Sequence, residues 1–443
     1  MSHIELFAHK NGFRCIYQKS YSTIPMTSIQ CFVKLGSIYE NHENRGSSHF
    51  IEHMCFKGTR KIPNAKDIST VYDRIGAYFN AMTTKEFTNY IVNCNDEYVE
   101  NCLTVLSDMI FNSTFKKENF MLERDVVIEE VVRDEDDPES KMDDMSDRLI
   151  YKGSPYENPI DDLSYHTESQ FEYDGTIQTY KSYYIPANVC LSIVSNHSFK
   201  TIQRILSKTY FTNETYKNNS VIQTIKNPTL SACECQKGVR YDLQTKSGIS
   251  ANYLTITFRT CHYNHPDKYV LNVLSEILGG YMSSRMFQML RDKHGITYKS
   301  TCYTTYYKMA GEIQLSSVCD PKNMLKTNGV FPLLMKLLRT ICKKGVTKEE
   351  VDRAKGHIKG SLINNLQNGK NACYSNGVEY FIYDSPTLVP YDKIYDTHYA
   401  SITKECVFEV IEKYFIKDNM SICILGDTIP SLDTIKEGVK IFE

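Results

Sequence analysis

The chain has 443 residues, 41% of them hydrophobic and 23% charged, with a formal net charge of −2 at pH 7. Such a length is too great for one ordinary core and argues for two domains or more, while the composition excludes wholesale disorder. The near-neutral balance and scattered basic residues give no electrostatic footprint for nucleic acid or an anionic membrane, and no uninterrupted run of ~18 apolar residues marks a membrane span.

The 15 cysteines are odd in number and mostly solitary in sequence, and Cys233-x-Cys235 lacks the two-residue gap of a zinc knuckle or redox motif. Free thiols in a reducing compartment are therefore expected. The start, MSHIELFAHKNGFRCIYQ, has neither an apolar signal core nor an Arg-rich amphipathic leader, so the expected location is cytoplasmic.

Residues 4–38 alternate as strands do, with a hairpin signal at Asn11-Gly12. Ser47 then reads as the N-cap of a helix over 47–57, ended by Lys57-Gly58. A second helix is predicted over 66–75, strands over AYFNAMTTKEFTNYIVNCN, and helices over 98–112 and 116–136, with Pro138 just beyond. Residues 219–238 are polar and carry Asn-Pro, and they read as a linker between domains 1–218 and 239–443. Beyond the linker the pattern restarts: strand ANYLTITFRT, helices DKYVLNVLSEILGG and SRMFQMLRDKHG, strands over 297–318 and a long helix near 322–343. The second half echoes the first, but its counterpart of the 47–57 helix has no histidine.

That first helix carries the chain's clearest chemical pattern, GSSHFIEHMCFKG. Positions i and i+4 of a helix share a face, so His49 and His53 can converge on one ion. Glu52, on nearly the same face, can take a proton from a water that a metal has made more acidic. This is the HExxH logic with its polarity reversed. Catalytic zinc takes three protein ligands and leaves one position open. The helix NFMLERDVVIEEVV offers Glu123, Glu129 and Glu130 for the third. At about 100° per residue Glu123 and Glu130 share a face, so one can bind metal while the other supports the site. The plainer alternative is a pair of solvated charges.

With these stretches in view, the sequence resembles the pitrilysin-like, inverted-motif (HxxEH) zinc metallopeptidases, most of all the short branch containing the beta subunit of mitochondrial processing peptidase. The resemblance runs through NGFRCIYQ, KLGSIYENHENRGSSHFIEHMCFKGT, GAYFNAMTTKEFTNYIV and LGGYMSSRMFQMLRDKHGITYKS, nearly the whole chain. It implies one Zn²⁺ per chain on His49, His53 and Glu130, with Glu123 as the supporting carboxylate and Glu52 as general base. It further implies an edge strand at Asn80-Ala81 to which peptide substrate adds, and Arg291 and Tyr298 as groups that hold the peptide and the developing oxyanion. The implied partner is a second copy or a related subunit, a homodimer or heterodimer closing as a clamshell over an unfolded or short peptide.

The expected fold is α+β: two structurally related domains, each a largely antiparallel sheet with helices packed mainly on one face. The expected activity is zinc-dependent endopeptidase. A non-catalytic core or regulatory subunit of the same fold and a closed four-ligand structural zinc protein are the rivals. The acidic run 129–147 could select basic peptides, through Asp144 for example, but reads better as a solvated helix face beside a turn. His262 and His265, beside Cys261, are three apart and offer only a weak second metal site.

Overall fold

The computed structural model describes residues 4–41, 44–161, 173–213, 236–366 and 369–442. Residues 219–235, most of the expected linker 219–238, lie outside the described residues, as do His42 and His166.

The strands of the first sheet are β1 (Ile4–Ala8), β2 (Arg14–Lys19), β3 (Met26–Val33), β4 (Tyr78–Thr83), β5 (Thr88–Asn95) and β6 (Val189–Ser195), in the spatial order β1-β2-β6-β3-β5-β4. Helices α1 (Ser47–Met54), α2 (Ala65–Arg74), α3 (Val99–Asn112), α4 (Lys117–Asp136), α5 (Pro138–Ile150), α6 (Tyr173–Tyr183) and α7 (Phe199–Leu206) fall between or after them. The second sheet has β7 (Arg240–Thr245), β8 (Asn252–Thr260), β9 (Lys299–Tyr306), β10 (Gly311–Cys319) and β11 (Met420–Gly426), in the order β7-β11-β8-β10-β9. Its helices are α8 (Asp267–Ser275, running on as a π-helical turn to Gly280), a π-helical segment Phe287–Lys293, α9 (Val330–Lys344), α10 (Lys348–Asn365), α11 (Gly369–Gly377), α12 (Lys404–Tyr414) and α13 (Leu432–Val439).

The two sheets are duplicates in topology. Leaving β1 aside, each has the same strand order and one parallel pair, β2 with β6 and β7 with β11, all other pairings being antiparallel. The period-2 pattern explains the core. In the first sheet Cys15, Tyr17, Ile29, Cys31, Val33, Leu191 and Ile193 face helices α1, α3, α4 and α7, which contribute Phe50, Ile51, Leu106, Ile110, Phe120, Val127 and Ile202.

The opposite faces hold a finding that the sequence pattern hides. Gln18, Gln30 and Ser192 alternate with those core residues and look solvent-facing, yet all three are buried. Helix α11, from the second half of the chain, covers them: Asn376 donates to Gln18 Oε1 at 2.7 Å, Gln30 to the Lys370 carbonyl at 2.8 Å, and Cys373 Sγ to the Ser192 carbonyl at 2.9 Å. The reciprocal holds in the second sheet, where α5, from the first half, lies over Cys423 and Leu425 with Met142 and Met145, and Ser146 bonds Thr257 and Gln314.

The compact units are accordingly 1–133 with 158–229 and 362–393, and 134–157 with 230–361 and 394–443. This corrects the contiguous division 1–218 and 239–443: each unit takes one helix from the other half because each sheet has a second buried face to fill. The acidic run 129–147 spans the end of α4, a bend at Asp137 and the start of α5. Asp137 caps α5 by accepting from the Ser140 N–H at 2.9 Å, and Pro138 starts the helix rather than ending the one before.

Candidate metal centre and active site

Helix α1 begins at Gly46, whose φ of 77° is open to glycine at little cost. Ser47 is not the N-cap. The orphan amides at this end are taken by half-buried Glu40, whose carboxylate accepts from the N–H of Gly46 and of Ser48, both at 2.7 Å. Burial pushes the Glu40 carboxyl up to about 7; the bonds from Ser48 and Gly46 pull it down, and nearby Asp161 adds to the rise.

From that cap, Phe50, Ile51 and Met54 enter the core and turn His49 and His53 to the other side of the helix. The Phe50 ring meets Phe120 of α4 edge-on at 4.6 Å, which fixes α4 against α1. On α4 the buried stripe is Phe120, Glu123, Val127 and Val131; Glu130 sits at its margin and Glu129 is exposed.

Three of the expected residues come together. The Nε2 atoms of His49 and His53 are 3.1 Å apart, and Glu130 Oε2 is 3.5 Å from His53 Nε2. All three donor atoms lie within 4.8 Å of one another, the one such group among the described residues; His262 and His265 form none. Tetrahedral zinc with bonds of about 2.0–2.1 Å spaces its ligand atoms by about 3.3 Å, so the donor set fits. Arg133 donates to Glu130 Oε1 at 3.2 Å, turning Oε2 toward the histidines.

The outer nitrogens of both rings face carboxylates. His53 Nδ1 is 2.8 Å from Glu123 Oε1, and Glu123 also pairs with Lys57, so its carboxyl is held below the ordinary range against the opposing pull of burial. His49 Nδ1 is 2.5 Å from Asp161 Oδ2, short but bent away from the ring's N–H axis. Burial works against charge on His49, yet Asp161, Glu52 and Glu130 outweigh it and hold its pKa up at about 9.

Glu52 is only 8% exposed. Burial raises its pKa, partly offset by a 2.6 Å hydrogen bond that Thr83 donates to Oε2 and by the two histidines. Thr83 ends β4, the edge strand that also carries Asn80 and Ala81. Asn80 is exposed, on the strand face opposite Thr83. In the second sheet the matching helix α8 offers Asn272, which accepts from Thr304 and Tyr306 at 2.8 and 2.9 Å. An uncharged amide thus stands where the first sheet has an acid.

Arg291 and Tyr298 belong to the second unit: Arg291 lies on the π-helical segment over the Phe287 ring, and Tyr298, just before β9, is 90% exposed.

Sequence reading missed Asp161, Glu40 and Thr83. Asp161 is 112 positions from His49 (161 minus 49), beyond any periodicity. Only Thr83 left a trace, since a residue three along a strand from Asn80 must face the other way.

The model for insulinase, peptidase family M16, matches residues 16–162, and that for the peptidase M16 inactive domain matches 171–357. The chain is 29% identical over 374 residues to the uncharacterized zinc protease YmxG of Bacillus subtilis, covering 84% of this chain and 87% of that one. It is 30% identical over 360 residues to an uncharacterized zinc protease of Rickettsia felis, covering 80% and 82%. Among solved structures, a protease from Helicobacter pylori superposes with a TM-score of 0.87 at 20% identity, covering 96% of this chain and 100% of that chain. The periplasmic protease PqqL from Escherichia coli superposes with a TM-score of 0.80 at 17% identity, covering 99% of this chain and 50% of that one.

Proposed function

Because the chain belongs to peptidase family M16, we propose that it is a zinc-dependent endopeptidase acting on short or unfolded polypeptides, with His49, His53 and Glu130 as ligands of one zinc ion and Glu52 as general base. The observation that carries this reading is the convergence of two imidazoles and a carboxylate beside a second, buried carboxylate. When bound, the ion supplies Lewis acidity, polarising a carbonyl and making a neighbouring water more acidic.

The rest falls to the chain's own residues. Thr83 holds Glu52 Oε2, which leaves Oε1 to take a proton from the attacking water and later to deliver it to the leaving amide nitrogen. Desolvation makes Glu52 a stronger base than an exposed carboxylate. Substrate joins the free edge of β4 by main-chain bonds along Asn80 and Ala81. Since Thr83 belongs to the same strand, a peptide so bound runs toward the base, with about 10 Å from Asn80 to Thr83. Arg291 grips a substrate carbonyl and Tyr298 stabilises the oxyanion; the exposure of both side chains supports such roles.

A clamshell completed by a second copy or a related subunit is supported by the match to half of the PqqL chain. Cytoplasmic residence is supported by described cysteines that are all unpaired; among the described residues no helix is long and apolar enough to cross a membrane.

The test uses purified protein and a quenched fluorogenic peptide. Cleavage should stop with chelator and return with zinc, and Glu52→Gln should lower turnover by about 10²–10⁴-fold while zinc stays bound. Undiminished cleavage by E52Q removes Glu52 from the mechanism. Zinc-loaded wild type that cleaves nothing favours the non-catalytic subunit instead.

A further inference from the structure

We propose that Asp161 is a positioning residue for the metal, fixing His49 in the tautomer whose Nε2 lone pair faces His53 and Glu130. This rests on the metallopeptidase reading and extends it to a residue that the HxxEH spacing does not indicate.

A neutral imidazole has one N–H and one lone pair, and an ionised carboxylate can only accept. A carboxylate at Nδ1 therefore places the proton there and leaves Nε2 free for a metal. Glu123 does this for His53 through a 2.8 Å hydrogen bond, and Asp161 Oδ2 lies 2.5 Å from His49 Nδ1, close enough to act on it but off the line of a straight hydrogen bond. With both rings neutral and so oriented, two lone pairs would face each other across 3.1 Å, an arrangement that a cation between them favours.

Asp161 is not a surface acid drifting past. Three residues earlier the Asn158 carbonyl accepts from Lys85 Nζ at 2.7 Å and from Ser37 Oγ at 3.5 Å, and its side chain accepts from Arg45 at 3.2 Å. Lys85 is buried in the β4–β5 hairpin, and Arg45 directly precedes the glycine that starts α1. The segment bearing Asp161 is thus pinned to the same end of the helix that bears His49.

A plain ion pair with protonated His49 makes the opposite prediction. It would compete with zinc, so removing the acid would leave zinc binding unchanged or tighten it. Zinc dissociation constants are measured by competition with a chromophoric chelator for wild type, Asp161→Asn, Asp161→Ala, Asp161→Glu and His49→Ala. Loss of the acid should weaken zinc about 10–100-fold, with D161E recovering part of it and the metal-free thermal midpoints unchanged. Wild-type or tighter binding by D161N, with H49A defective, overturns the role of Asp161 and leaves the metal site standing. If H49A binds zinc as wild type does, the site reading itself falls, and this one with it. A second measurement needs no variant: ¹⁵N-histidine spectra of the zinc-loaded wild type should show the His49 proton on Nδ1. A proton on Nε2 would refute the proposal.

Discussion

Glu40 gives a test of the architecture that is independent of metal. Its carboxylate is tucked against the start of α1, and desolvation there pushes its pKa up to about 7, against an ordinary 4.5. A folded-state value above the unfolded one means that the native chain binds the extra proton between those two pH values. The contribution to stability is therefore complete below about pH 4.5 and lost as pH rises through 7. At about 1.36 kcal/mol per pH unit, the loss between pH 5 and pH 7 is roughly 2–3 kcal/mol. Other acids titrate in the same range, so the comparison must be with Glu40→Gln, which keeps the shape and lacks the proton. Urea unfolding of both proteins by far-UV circular dichroism, at intervals from pH 5 to 8, isolates the difference; the chain has no tryptophan to report by fluorescence. Wild type should lose ground to E40Q across that window. Parallel curves would mean that Glu40 is already ionised in the fold at pH 5, and that burial does not govern it.

Two further outcomes follow from packing and charge. Phe50→Ala removes a fully buried ring that joins the two helices carrying the candidate metal site, and should cost about 3–5 kcal/mol. Thermal scans should show that loss together with weaker zinc retention; intact zinc affinity would mean that α4 is held against α1 by other contacts. In the second unit Arg285 grips both oxygens of Glu350 at 2.7 and 2.8 Å. Burial works against the charge, yet Arg285 and Thr347 hold the Glu350 carboxyl at about 2. A depressed folded value contributes stability above about pH 4.5 that disappears as pH falls toward 2. Solvent screening leaves about 1–2 kcal/mol of it. Glu350→Gln should therefore lower the unfolding midpoint at pH 7 and converge with wild type near pH 2.

The histidine pair of the candidate site was legible in the sequence because it is local, whereas Glu130 was singled out from Glu123 only by the family resemblance. Four residues make one helical turn, so His49 and His53 had to share a face, and seven residues bring Glu130 back under Glu123. What could not be read was whatever depends on a distant segment arriving. Asp161 comes from 112 positions away, and the polar faces of both sheets look wet until α5 and α11 cover them. Pro138 was ambiguous in the sequence: proline is at home in a helix's first turn as well as after its last, and only the capping by Asp137 decides between them. The duplication of the sheets was visible as a repeating pattern, but which helix served which sheet was not.

The reciprocal loan of α5 and α11 has a consequence for anyone who would take the molecule apart. Cutting the polypeptide in the middle would separate each sheet from the helix that shields its hydrogen-bonding side chains. Residues 1–218 alone would leave Gln18, Gln30 and Ser192 stripped of their partners. Neither fragment should be well behaved in isolation, whereas the two produced together should find each other and restore the whole. The half that carries the candidate metal site is an indivisible share of a larger object, not a module that can be lifted out.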